Sequence, residues 1–89
     1  MRRATVIRVD DGGTIVIRPN MAVKLTGVNL PERGSPAATA AKEKLESLVL
    51  KKKIEFETKT WDRLGRSLAQ VWVDGVNVNE AMAEFLASI

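Results

Sequence analysis

The chain contains no cysteine and no histidine. Without cysteine no disulfide can staple the fold, and that absence is compatible with reducing and oxidising compartments alike. Without histidine the commonest general base and metal ligand is missing, so any catalysis has to run on carboxylates, Arg, Lys or a bound metal. Long apolar runs are also lacking: no stretch approaches the roughly 20 residues of a membrane-spanning helix. The apolar run behind the basic start Met1-Arg2-Arg3 is broken by Arg8, which is not the pattern of a secretion signal. A cytoplasmic location is the expectation.

What is present is 89 residues with 14 Lys and Arg against 11 Asp and Glu, a net charge of +3. This slight basic excess favours a polyanionic partner, and it is equally the charge of an ordinary solvated surface. The length suits one domain over 1–89, and a chain of this size buries only about 60–70% of the surface its unfolded form exposes.

Local patterns give the order of elements. Ala4 to Val9 reads as a strand, and Asp10-Asp11-Gly12-Gly13 as a tight hairpin turn with positive-φ positions. Thr14 to Arg18 is the second strand, ended by Pro19-Asn20. Met21 to Gly27 is the third, with Met21, Val23 and Leu25 on one face and Lys24 on the other. Ser35 and Pro36 form a helix start, and the helix runs to about Leu50 with Ala41, Leu45 and Leu48 on its apolar stripe. Its charges, among them the i,i+4 pair Lys42 and Glu46, read as a solvated face, and Lys51-Lys52-Lys53 as cations at the helix C-terminus. Lys53 to Thr60 and Leu68 to Val73 are two further strands, Asp74-Gly75 is a turn, and Asn77 or Asn79 caps a last helix bearing Met82, Phe85, Leu86 and Ile89.

The fold class expected is therefore β-rich: a five-stranded closed barrel of the oligonucleotide-binding (OB-fold) kind, with a helix between strands 3 and 4 and a C-terminal helix. Closure removes the edges a small sheet would leave open. The apolar stripe of the last helix is expected either to pack on the barrel or to form a homodimer or partner-chain contact.

Four segments carry a resemblance. Val9-Asp10-Asp11-Gly12-Gly13-Thr14 is similar to a V-x-D-G-D-T turn. Lys24-Leu25-Thr26-Gly27-Val28-Asn29-Leu30-Pro31-Glu32 is similar to R-L-x-G-I-D-x-P-E. Asp62-Arg63-Leu64-Gly65-Arg66-Ser67-Leu68-Ala69 is similar to D-x-Y-G-R-x-L-A, and Asp74-Gly75-Val76-Asn77-Val78-Asn79-Glu80 to D-G-x-x-V-N-E. In this order and spacing they resemble the staphylococcal nuclease (thermonuclease) family across nearly the whole chain.

That resemblance implies a phosphodiesterase site: calcium held by two aspartates, a glutamate assisting the attacking water, and two arginines on the phosphate. Such groups are what hydrolysis requires, a Lewis acid, a nucleophilic water and cationic clamps. By position, Glu32 matches the glutamate and Arg66 the second arginine, while Lys24 stands in place of the first arginine. Asp11 matches a turn aspartate near the ion. Gly13 and Asn29 stand where the two metal-binding aspartates should be, which removes two anionic ligands. Asp11 is two residues from Gly13, roughly 6.6 Å along an extended chain, too far to substitute directly. Lys24 keeps the charge without the bidentate fork.

Structural roles compete with each of these. Glu32 also fits a solvated loop, Arg66 a tie to Asp62 or a backbone carbonyl, and Trp61 and Trp72 either packing or base stacking. Three functions remain open. The first is a nucleic-acid- or phosphate-binding module with little or no nuclease activity and no cofactor. The second is a calcium-dependent nuclease of DNA or RNA, and the third a protein-interaction barrel.

Overall fold

A computed structural model of the protein describes residues 1–89. Strands β1 (Arg2–Asp11), β2 (Thr14–Ile17) and β3 (Met21–Leu25) make an antiparallel meander, with Val9 opposite Ile15 and Ile15 opposite Val23. Helix α1 (Pro36–Val49) follows, then β4 (Lys53–Trp61) and β5 (Ser67–Val73). β4 pairs antiparallel with both β1 and β5, and β5 runs parallel to β3, with Val23 beside Ser67 and Leu25 beside Ala69. That last pairing closes five strands into a barrel. A two-residue β6 (Val76–Asn77) lies on the outer side of β5 and leads into α2 (Val78–Ala87).

The expected architecture is the one observed, with strand ends differing in an informative way. β1 extends two residues beyond the expected Ala4–Val9 at each end. Its first half pairs with β4 and its second with β2, and register shifts between Val6 and Arg8 and between Val9 and Asp11 interrupt the β1–β2 ladder. Polar ends such as Arg2 and Asp11 are held by ladder bonds, which hydrophobic alternation does not report.

Core side chains come from every layer. Val6, Val9, Ile15, Ile17, Val23, Ile54, Phe56 and Val71 fill the barrel, Ala41, Leu45 and Val49 of α1 cover one side, and Val78 and Met82 of α2 another. The apolar stripe of α1 thus runs i, i+4, i+8 to Val49, leaving Leu48 half-buried. Ser35 caps α1 by accepting from the Ala38 N–H at 3.1 Å, and Asn77 caps α2 by accepting from the Glu80 N–H at 2.9 Å. Phe85 and Leu86 pack against the core beside buried Met82, whereas Ile89 stays exposed. No helix is long and apolar enough to cross a membrane.

Asn79 locks α2 to the barrel. Its Oδ1 accepts from the Val71 N–H at 2.9 Å, and its Nδ2 donates to the carbonyls of Thr26 and Ala69, each at 2.9 Å. One buried amide therefore satisfies backbone groups of β5 and of the loop after β3. That loop carries Asn29 to Glu32.

Candidate functional site

The turn between β1 and β2 is shaped by contact more than by backbone handedness. Neither Gly12 nor Gly13 lies in the left-handed region, contrary to the expectation of positive-φ positions there. Gly12 is instead needed for space: a Cβ on it would lie 2.5 Å from the Ala41 Cβ, so α1 rests directly on the turn. Asp11 stiffens the same turn, its Oδ1 accepting from the Gly13 N–H at 2.8 Å. Over Gly13 lies Leu30, and a Cβ there would meet its Cδ2 at 3.2 Å.

A second turn joins β4 to β5. Asp62 Oδ1 accepts from the backbone N–H groups of Leu64 at 2.9 Å and of Arg66 at 2.8 Å, and its Oδ2 accepts from Arg66 Nε at 2.6 Å. Gly65, at φ +80°, supplies the left-handed residue the reversal requires. The Arg66 backbone N–H, then the Arg66 guanidinium and the Leu64 N–H, hold the Asp62 carboxyl below its ordinary range, against an opposing effect of burial. Only Nε of Arg66 is engaged, so the four N–H bonds on its two terminal nitrogens have no protein partner.

These two turns and the start of α1 border a cleft of about 430 Å³. Asp10, Asp11 and Thr14 come from the first hairpin, Leu30, Pro31 and Arg33 from the loop after β3, Lys42 from α1, and Arg66 from the second turn. Three cations, Arg33, Lys42 and Arg66, thus face two carboxylates, one of which, Asp10, is already paired with Arg8 at 2.8 Å.

Of the residues singled out by sequence, Asp11 and Arg66 meet on this cleft. Lys24, Asn29 and Glu32 do not line it. Lys24 sits opposite Thr14 in the β2–β3 ladder and two residues from Ala22, both on the cleft, so it flanks the site from the same sheet face. Asn29 and Glu32 are exposed in the loop, and their neighbours Leu30, Pro31 and Arg33 are the residues turned to the cleft. Arg66 is tied to Asp62, as its structural reading has it, and its side chain also lines the cleft.

Arg33 and Lys42 also line the cleft, and neither lies in a sequence pattern that marks it for a site. Lys42 reads as one more solvated helix charge, and only the close packing of Gly12 on the adjacent Ala41 brings it to the cleft rim.

The donor set does not fit the calcium ion that the resemblance implies. No three carboxylates cluster anywhere in the chain. At the place in question Gly13 offers no side chain and is covered by Leu30, one Asp11 oxygen is occupied by the Gly13 N–H, and Asn29 is neutral and outside the cleft. The buried Thr14 hydroxyl, which has no hydrogen-bond partner, adds only a neutral oxygen. Calcium prefers six to eight oxygens, several of them anionic.

A closed five-stranded barrel whose first hairpin, first helix and D-x-x-G-R turn border a cleft bearing three cations is a barrel domain of the OB kind. Residues 22–87 match the family described as staphylococcal nuclease homologue, and the chain belongs to that family. Among curated proteins it is 33% identical over 73 residues to the micrococcal nuclease of Shigella flexneri, which covers 79% of this chain and 42% of that protein. It is 35% identical over 81 residues to an uncharacterized endonuclease of Escherichia coli O157:H7, covering 86% of this chain and 53% of that protein. It is 32% identical over 75 residues to Protein ParB of Escherichia coli, covering 81% and 42%. The chain thus spans about half the length, or less, of these relatives.

Proposed function

We propose that this domain binds single-stranded nucleic acid through its phosphates, without calcium, and with nuclease activity lost or strongly impaired. The observation that carries this reading is Arg66. Its guanidinium is fixed through Nε by Asp62 and keeps its terminal N–H fork free at the rim of a cleft that also bears Arg33 and Lys42. A planar fork of this kind suits two oxygens of one phosphate. Lys24, on the same sheet face, supplies a further positive charge.

In this reading Arg66 is the principal phosphate ligand and Lys24 an auxiliary one. Glu32 is exposed and does not itself line the cleft, and in this reading it takes no part in activating a water. With Gly13 and Asn29 in place of carboxylates, nothing gathers a cation to polarise the phosphodiester or stabilise the charge that builds on it. The relatives named as nucleases make nucleic acid the natural partner class.

The experiment is a single-stranded DNA cleavage assay with and without calcium, run beside a binding assay at low salt. Binding without cleavage in either condition is expected. Calcium-dependent cleavage abolished by Glu32→Gln would establish the nuclease instead.

A further inference from the structure

A second groove, of about 400 Å³, opens between β1 and α1 and shares Asp10 and Lys42 with the cleft. Ile7, Arg8 and Val9 form its β1 wall, Glu46 and Leu50 its α1 wall, and Lys51 stands at the helix exit. The two recesses therefore follow one another, with Lys42 at their junction. Lys42 makes no ion pair with Glu46, contrary to the expectation from their i,i+4 spacing.

Lys51 is held in place by its backbone. Its N–H donates to the Val6 carbonyl at 3.0 Å, and its φ of 65° is a left-handed conformation that glycine adopts more easily at a helix end. The last turn of α1 carries no basic residue, and the N–H groups of Leu50 and Lys52 meet the carbonyls of Glu46 and Val49, both at 3.0 Å. The lysine triplet, expected as charges at the helix C-terminus, thus lies past it, on the return to β4.

Beyond the groove β1 presents Thr5. Ile54, opposite Ala4, is in the core, as are Val6 and Ile17, so Thr5 and its partner Lys53 point to the outer face. On the other side of Thr5 comes Arg18, which follows Ile17 and whose N–H donates to the Thr5 carbonyl at 3.1 Å. Direct cross-strand neighbours share a face, so Arg18, Thr5 and Lys53 lie side by side on the outer surface. Arg18, Lys42, Lys51, Lys52 and Lys53 are all exposed and none is in a salt bridge. Of the carboxylates nearby, Asp10 is paired with Arg8 and Glu55 with Arg3, leaving only Glu46.

We infer that the seam between β1 and α1 is a second phosphate-binding tract, along which a single strand held at Arg66 continues past Lys42 and Lys51 to Lys53 and Arg18. Six residues of β1 separate Asp11 on the cleft from Thr5, about 20 Å. That is several nucleotides of extended strand, within the span of about 4–16 that an OB-type barrel covers. Ammonium groups on flexible stems suit such a tract, because they follow a backbone as point charges without reading sequence. The inference rests on the proposed binding through Arg66 and adds to it the direction and length of the bound strand.

The test titrates single-stranded oligodeoxynucleotides of about 4 and about 12 residues over a range of salt. The tract variant Arg18→Gln with Lys53→Gln is compared with a control of equal charge, Lys44→Gln with Lys59→Gln, whose lysines lie over Phe85 and beside Glu57. On the longer strand the tract variant is expected to flatten the log–log slope by about 1.4, two phosphates at about 0.7 each, and the control to leave it at the native value. On the shorter strand neither variant should matter, whereas Arg66→Ala should weaken both lengths. A tract variant with the native slope, or one matched by the control, overturns the tract and leaves the Arg66 site standing. Equal weakening of both lengths by the tract variant makes it a separate anion site and overturns the continuation. If the longer strand does not bind the native chain at low salt, the proposed function fails and the tract with it.

Discussion

Asp62 holds Arg66 twice, the backbone N–H on one carboxylate oxygen at 2.8 Å and Nε on the other at 2.6 Å. A carboxylate so engaged is lowered in pKa, and the sign of the consequence is fixed. Because the folded value lies below the unfolded one, the contribution to stability is complete above about pH 4, the ordinary Asp range, and is lost as the pH falls through the lowered value. Asp62→Asn is therefore expected to melt below the native chain at neutral pH, with the difference shrinking only at more acid pH. Thermal melts from pH 7 to strongly acid conditions check this, and a gap that closes already near pH 6 would contradict it.

Gly12 against Ala41 fixes where α1 sits on the first hairpin. Gly12→Ala drives two Cβ atoms to 2.5 Å and is expected to cost about 1–3 kcal/mol by overpacking. Adding Ala41→Gly relieves the clash at a helix-propensity cost of about 1 kcal/mol. The double variant should therefore be less destabilised than the sum of the singles, as denaturant midpoints would report.

Asn79→Ala leaves the buried Val71 N–H without its acceptor and removes the donor to Thr26 and Ala69. About 1–3 kcal/mol for each group left unpaired is expected, a large share of the roughly 5–15 kcal/mol a small domain holds. Asn77→Ala, which removes only the α2 cap, should cost about 1 kcal/mol.

Those two asparagines mark the limit of what the sequence discloses. Both fit a helix start, and the choice between them depends on Val71, Ala69 and Thr26 being brought around Asn79 by barrel closure. The barrel itself was legible because alternation in Met21–Leu25 and Ile54–Phe56 and the caps at Ser35 and Asn77 are local signals. Arg66 was legible from its turn motif. Lys42 and Arg33 were not, because the cleft is made by the docking of α1 on Gly12. The cover that Leu30 places over Gly13 is likewise a contact between segments 17 positions apart, invisible to any motif.

That cover has a consequence for metal binding. Calcium at about 1 mM is expected to leave the native melting temperature unchanged, since stabilisation requires a dissociation constant below the free concentration. The variant Gly13→Asp with Asn29→Asp and Lys24→Arg should gain a calcium-dependent rise, enlarged when Leu30→Ala makes room for the new carboxylate. A native chain already stabilised by calcium would overturn the assignment of Gly13 and Asn29 as lost ligand positions.

Most direct of all is the salt dependence of single-strand binding in chelator and in calcium, for the native chain and Arg66→Ala. The native log–log slope is expected to be about −0.7 per phosphate neutralised and the same with or without calcium, and Arg66→Ala should flatten it by about one such increment. Binding that requires calcium, or an Arg66→Ala slope equal to the native one, would contradict a calcium-independent phosphate site built on Arg66.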